Sequence, residues 1–236
     1  MAITHVGERP TVKPSRQILT DAIYETVKGL LMDHRIEPGD RINIDKLARE
    51  LDVSPTPIRE ALARLESDGL VTKEALRGYS ATRLLDLPEF LQLYEMRTLL
   101  EPTAARKAAT ARTGADLRDL ERQVAAMQQA RVGETYEGYH LLATEDARFH
   151  DTVARAAGNA YLRDTLLRLH AHLPLYRLLF HTGIAAETIA EHRAILDALE
   201  RGNADDAAAA MAEHIEHSRR RLATVFQGGG PWGNTR

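Results

Sequence analysis

Apolar positions recur at intervals of three and four along most of the chain, which is the spacing of one buried face on an α-helix. Ile18, Ala22, Ile23, Val27, Leu30 and Leu31 form the first such set, and EPGDRI after His34 ends it with Pro38 and Gly39. A short helix follows. Asn43 is its predicted N-cap, Ile42 and Leu47 its hydrophobic staple, and Leu47, Ala48 and Leu51 its buried face, up to Asp52-Val53. The next helix opens in SPTPIREALARLESDGLV, residues 54–71. Pro57 suits the first helical position and disfavours helical geometry at Thr56, so Thr56 is expected to cap this helix. Its inward stripe is Ile58, Ala61, Leu62 and Leu65, which leaves Arg59 and Arg64 outward. Past Gly69 the period changes. LVTKEALRGYSATRL places apolar or β-branched residues on both sides of a turn at Arg77-Gly78, the pattern of a two-stranded wing. From Asp86 onward the helical spacing returns, with expected helices at 86–110, 114–131, 134–157, 159–181, 185–201 and 204–226, punctuated at Gly114, Gly133, Gly158-Asn159, Gly183 and Gly202-Asn203.

The expected fold is therefore mainly α: an N-terminal winged helix-turn-helix with a small β wing over residues 1–85, an all-helical bundle over 86–227, and a disordered tail over 228–236 (GGGPWGNTR). The absence of cysteine removes disulfides and thiolate ligands, so any metal must rest on His, Asp or Glu. No run of 18 apolar residues and no export-type N-terminus occurs, so no membrane association and a cytoplasmic location are expected. A net charge of -3 argues against a globally basic nucleic-acid binder, and residues 1–85 balance 13 basic against 13 acidic residues. A DNA-binding reading must rest on where the charges sit. Ser54, Thr56 and Arg59 gather at a helix start whose dipole favours phosphate, Arg64 follows on the outer face, and Arg77 and Gly78 form the tip of the wing. Two helices with this cationic second member are the arrangement that enters a major groove.

PGDRI, DKLARELDVSPTPIREALARLESDGLV and RGYSA resemble the winged helix-turn-helix of the GntR family of bacterial transcription regulators. That resemblance implies that Ser54, Thr56, Arg59 and Arg64 contact double-stranded operator DNA, that Gly78 lies at the wing tip, and that the protein binds palindromic sites as a homodimer. The helical remainder resembles the effector domain of the FadR-type subgroup, which senses small molecules.

Within the bundle, Asp146 and His150 are four residues apart and share a helix face. His192 lies 203 − 192 = 11 residues before Asn203 and His214 lies 214 − 203 = 11 after it, so a bend at Gly202-Asn203 would bring both to one height. Three imidazoles and one carboxylate suit zinc, nickel, manganese or iron and leave positions open on an octahedral ion. The family resemblance selects the same four, Asp146, His150, His192 and His214, and leaves out His170, His172, His181 and His217. Arg97 falls on the inward stripe of its helix with Leu93, Leu100 and Ala104. A buried guanidinium needs an anion, either Glu101 in a structural salt bridge or the carboxylate of a small effector. Asn159 either lines that pocket or caps the next helix. The expected protein is a metal-containing regulator, a repressor of a catabolic operon with coupling through Arg83–Pro88, and not an enzyme. A metal-dependent hydrolase or oxygenase on the same cluster is the rival, and a structural His cluster without effector is a third possibility.

Overall fold

The computed structural model describes residues 16–130, 136–178 and 185–227. The tail at 228–236, the breaks at Gly133 and Gly183, and His181 lie outside them. The N-terminal elements are α1 (Arg16–Met32), β1 (Arg41–Ile42), α2 (Ile44–Glu50), α3 (Pro55–Ser67), β2 (Val71–Glu74) and β3 (Gly78–Ala81). Most of the set the spacing selected forms their core: Ile23, Val27 and Leu31 of α1, Leu47 of α2, and Ile58, Ala61, Leu62 and Leu65 of α3 are buried together, while Leu30 and Leu51 are half-buried and Ile18 and Ala22, expected on the same face of α1, are exposed. Asn43 caps α2, accepting from the Lys46 N–H at 2.9 Å.

Two details differ from the sequence expectation. Thr56 is not the cap of α3. The helix begins at Pro55, with Ser54 as N-cap in extended geometry. The first turn needs no amide donors, so Pro55 at the first helical position and Pro57 at the third are both tolerated, and burial of Pro57 in the core favours drawing the turn inward. The Ser54 hydroxyl caps no amide, because the third position that would donate is a proline. The wing is also larger than a hairpin. β1 adds to it, giving the antiparallel order β1-β3-β2 with Arg41 opposite Ser80 and Glu74 opposite Gly78. Two residues after a Pro-Gly loop carry no period of their own.

The bundle consists of α4 (Leu87–Ala111), α5 (Gly114–Gln129), α6 (Tyr136–Ala156), α7 (Ala160–Arg168), α8 (His172–Leu178), α9 (Ala185–Arg201) and α10 (Ala204–Gln227). Capping boxes start α4 (Asp86 with Glu89) and α5 (Thr113 with Asp116). α4 packs along α10, α5 along α6, and α9 folds back on α10 at Gly202, whose φ of 70° suits the bend. The helix expected over 159–181 is instead two. It breaks at Leu169-His170-Ala171, where His170 takes a φ of 46°. Pro174, in the first turn of α8, is the local signal for this corner, and the helix expected over 159–181 ran through it.

The two groups of elements meet through specific contacts. The Tyr136 N–H donates to Asp33 at 2.5 Å, and the Arg177 guanidinium donates to the Thr82 carbonyl at 2.7 Å. Lys28 lies over the rings of Tyr24 and Tyr136.

Candidate nucleic-acid interface and metal centre

α3 presents Ser54, Thr56, Arg59 and Arg64 on its exposed side, as its inward stripe requires. Arg59 extends from the first turns. Arg64 leans back on α1, bonding Asp21 at 2.6 Å and covering the Tyr24 ring at 4.1 Å, so part of its role is to hold α1 against α3. At the wing the turn proper is Ala75-Leu76-Arg77, with Leu76 fully exposed at a φ of 66°, and Gly78 (φ 87°) is the first residue of β3 rather than the turn's centre. Arg77 projects from the tip, 3.3 Å from Glu74.

In the bundle, Asp146 and His150 from α6, His192 from α9 and His214 from α10 converge. All four are buried, and their ligand atoms lie within 4.8 Å of one another. Equal distances from the bend do bring the hairpin's two histidines together: the rings of His192 and His214 are 4.6 Å apart. Two of the imidazoles are held by hydrogen bonds from Nδ1, and the third has its Nδ1 in close contact with a carboxylate outside hydrogen-bond geometry. His192 donates to the Thr188 carbonyl at 2.7 Å, His214 donates to Glu191 at 2.8 Å, and His150 Nδ1 lies 2.5 Å from Glu101. The Nε2 atoms are thereby turned to the centre as lone pairs. His192 Nε2 faces Asp146 Oδ1 at 3.2 Å and His150 Nε2 faces the same oxygen at 3.9 Å, and both nitrogens are buried without a hydrogen-bond partner. Acceptors directed at one another repel unless a cation lies between them. Burial pushes His150 down to about 3 and His214 to about 4, which keeps both neutral and able to ligate at neutral pH. Burial would raise Asp146, but it lies well below the usual carboxylate range, with the His172 hydrogen bond the foremost of the contacts that lower it. A neutral N₃ set with one carboxylate fits a divalent transition ion.

Arg97 is 2% exposed and pairs with Glu101, Nε to Oε1 at 2.5 Å, which is the salt bridge the sequence allowed. Burial would raise the Glu101 carboxyl, but Arg97 and His150 hold it well below its ordinary value. Asn159 is exposed and caps α7, accepting from the Leu162 N–H at 3.2 Å. Beside the centre, Arg97, Asp146, His172, Tyr176 and His214 border a cavity of about 30 Å³, room for a single water. On the other side, Glu101, His150 and His172 line a cavity of about 450 Å³ that also reaches Ser67 and Asp68 at the end of α3.

Several contributors escaped the sequence reading. Glu191 supports His214 and also meets His217 and Arg221. Its position, 203 − 191 = 12 residues before the same bend, would have placed it there. Thr188 stands one turn before His192, a usable signal. His172, set aside on the family pattern, donates from Nδ1 to Asp146 Oδ2 at 3.0 Å.

Comparison with known proteins agrees with this architecture. Residues 19–79 match the bacterial regulatory proteins of the gntR family and residues 92–217 match the FCD domain. The Nta operon transcriptional regulator of Aminobacter aminovorans is 30% identical over 204 residues, 84% of this chain and 92% of that protein. The HTH-type transcriptional regulator YdhC of Bacillus subtilis is 29% identical over 208 residues, 87% of this chain and 92% of the relative. The solved structure of E. coli McbR/YncC shares the fold with a TM-score of 0.65 at 22% identity, covering 89% of this chain and 97% of that one. These proteins and domains are regulators rather than enzymes, and they offer the hydrolase or oxygenase reading no support. No described helix is long and apolar enough to cross a membrane. The chain belongs to the GntR family of DNA-binding transcriptional regulators, with an FCD effector domain behind its winged helix.

Proposed function

We propose that this regulator binds a palindromic operator as a homodimer, holds a divalent transition ion on Asp146, His150, His192 and His214, and changes its DNA affinity when a small carboxylate reaches that ion. Residues 1–85 serve as the DNA-binding unit and 86–227 as the sensing and dimerising unit. The observation that carries the reading is the centre itself, where inward-facing imidazole lone pairs meet a carboxylate in a buried space. The ion is zinc, nickel, manganese or iron, the metals that accept such a ligand set. The cavity of about 450 Å³ beside His150 offers an organic acid the space that the smaller one lacks. Arg97 is the proposed partner for its carboxylate, a role that requires Glu101 to share or yield the guanidinium. Leu87, Leu91, Met96 and Leu99 expose apolar surface along α4, which supports a dimer contact there. The Aminobacter relative is by its name an operon regulator, which supports action on an operon; repression of a catabolic one is the sign and target proposed here.

Elemental analysis of the protein purified without chelator, followed by selection of its binding site from random DNA and fluorescence anisotropy with a panel of organic acids, tests the reading. Near-stoichiometric metal, a palindromic selected site and an acid that shifts the affinity are expected. Protein that takes up none of zinc, nickel, manganese and iron removes the ion, and a strictly monomeric complex with DNA removes the dimer.

A further inference from the structure

One seven-residue helix touches both the metal centre and the DNA-binding unit. At the start of α8, His172 donates to Asp146 Oδ2, the oxygen turned away from His192 and His150. Two residues earlier, at the corner between α7 and α8, His170 packs against the turn that ends α3. A Cβ on Gly69 would lie only 2.8 Å from the His170 Cβ, so the two segments meet without a spare atom between them. At the far end of α8, Arg177 bonds the Thr82 carbonyl, and the Thr82 N–H in turn donates to the Leu70 carbonyl at 3.0 Å. Leu70 directly follows Gly69, so both contacts of this helix on the N-terminal unit converge on one strip, Gly69-Leu70 and Thr82. Leu175, Tyr176 and Arg177 are buried, which leaves α8 little freedom to slide without moving what it touches.

We infer that α8 is the strut through which the metal centre acts on the recognition helix, with His172 as the residue that positions Asp146 and registers its movement. The inference rests on the reading of the four-residue cluster as an ion site. Asp146 is one of the four residues that would hold the ion, which would restrain its carboxylate while Oδ2 keeps the His172 N–H. The hydrogen bond carries that restraint to α8, and the His170 and Arg177 contacts pass it to the end of α3 and the base of the wing. This path is separate from the covalent link at Arg83–Pro88, where Arg83 pairs with Glu89 on the exposed start of α4. It also explains why a histidine stands at 172 although its ring is not one of the four inward ligands: hydrogen bonds that orient a metal's carboxylate ligand belong to the site's function.

The test uses full-length protein, stripped with chelator and reloaded with zinc alone, followed by amide hydrogen exchange of peptides covering residues 66–71 and 80–84. In the wild type, zinc should slow exchange in both peptides several-fold. His172→Ala should bind zinc more weakly, by about 10- to 100-fold as outer-shell changes do, and at saturating zinc its exchange at 66–71 should not respond. His172→Asn, whose amide N–H can reach the same oxygen, should restore the response. If wild-type protein binds zinc and exchange at 66–71 is unchanged, or if His172→Ala at saturation responds as the wild type does, α8 is not the strut. A His172→Asn variant that binds zinc and stays silent excludes the strut equally, and that measurement stands even if the alanine variant does not fold. A wild type that binds none of zinc, nickel, manganese and iron overturns the ion reading and this inference together.

Discussion

Replacing Arg97 tests whether its partner inside the protein or an effector explains a cation on a buried face. The guanidinium is 2% exposed and Glu101 is 4% exposed, with Nε 2.5 Å from the carboxylate. Arg97→Ala leaves that carboxylate buried beside His150, an imidazole held neutral by burial. Breaking a buried pair from one side costs about 3–5 kcal/mol. At about 2–4 °C per kcal/mol for a chain of this size, the melting temperature should fall by roughly 6–20 °C. Removing both charges is a different perturbation. Arg97→Leu combined with Glu101→Gln removes both charges while keeping an oxygen beside His150, and should lose clearly less than the alanine variant, because no buried charge is left unpaired. Urea unfolding followed by circular dichroism on chelated protein measures both. An Arg97→Ala variant that loses less than about 1 kcal/mol would refute the claim that Glu101 depends on it. The double variant then serves the effector question: it should fold, yet lose any thermal shift that organic acids give the zinc-loaded wild type. If that shift survives, the effector's carboxylate is held elsewhere.

Chelation of the loaded protein should destabilise the bundle. An ion present at a hundred times its Kd contributes about 2.7 kcal/mol, so stripping should lower the melting temperature by roughly 5–11 °C, and a metal-free preparation that melts like the loaded one contradicts the site. In chelated protein His150 and His214 stay neutral in the fold, at about 3 and about 4 against 6.5 when unfolded. The unfolded chain therefore binds more protons below 6.5, and stability falls as pH drops, by about 2 kcal/mol per histidine between pH 7 and pH 5. Urea midpoints across that range should flatten in His150→Gln, and an unaltered slope would show that burial does not hold these imidazoles neutral. Arg59→Ala should weaken operator binding by roughly 1–3 kcal/mol if it meets a base edge, or lower the salt slope by about one if it meets phosphate, without loss of stability. Arg64→Ala should also lose about 0.5–1.5 kcal/mol of stability, since Asp21 and the Tyr24 ring hold it, and equal melting curves for the two variants would remove that distinction.

What could be read from the chain was whatever a local period or a short spacing encodes. The α3 stripe is visible because Ile58, Ala61, Leu62 and Leu65 repeat within one helix, and the His192–His214 meeting because equal distances from one bend place two residues at one height. Asp146 and His150 share a face for the same kind of reason. What could not be read depends on corners and on which atom of a side chain is engaged. The break at His170 is announced only by Pro174 four residues later, while the apolar period continues across it, so residues 159–181 read as one helix and the approach of His172 to the centre stays hidden. Two prolines so close together permitted two helix starts, and only the burial of Pro57 favours Ser54 over Thr56 as the cap.

The same distinction explains why the four ligands were legible while their orientation was not. Ligand identity follows from residue type and height along a helix. Orientation follows from what each Nδ1 meets, and those partners come from three different relations: Thr188 one turn back on the same helix, Glu191 across the α9–α10 hairpin, and Glu101 from α4, far away in sequence. Only the first is local. Yet it is this second set that aims the lone pairs inward, and through Glu101 it also ties the cluster to Arg97. The centre therefore depends on α4 as much as on the three helices that carry its ligands. A change at Arg97 should disturb His150 without touching it, because the residue between them is shared.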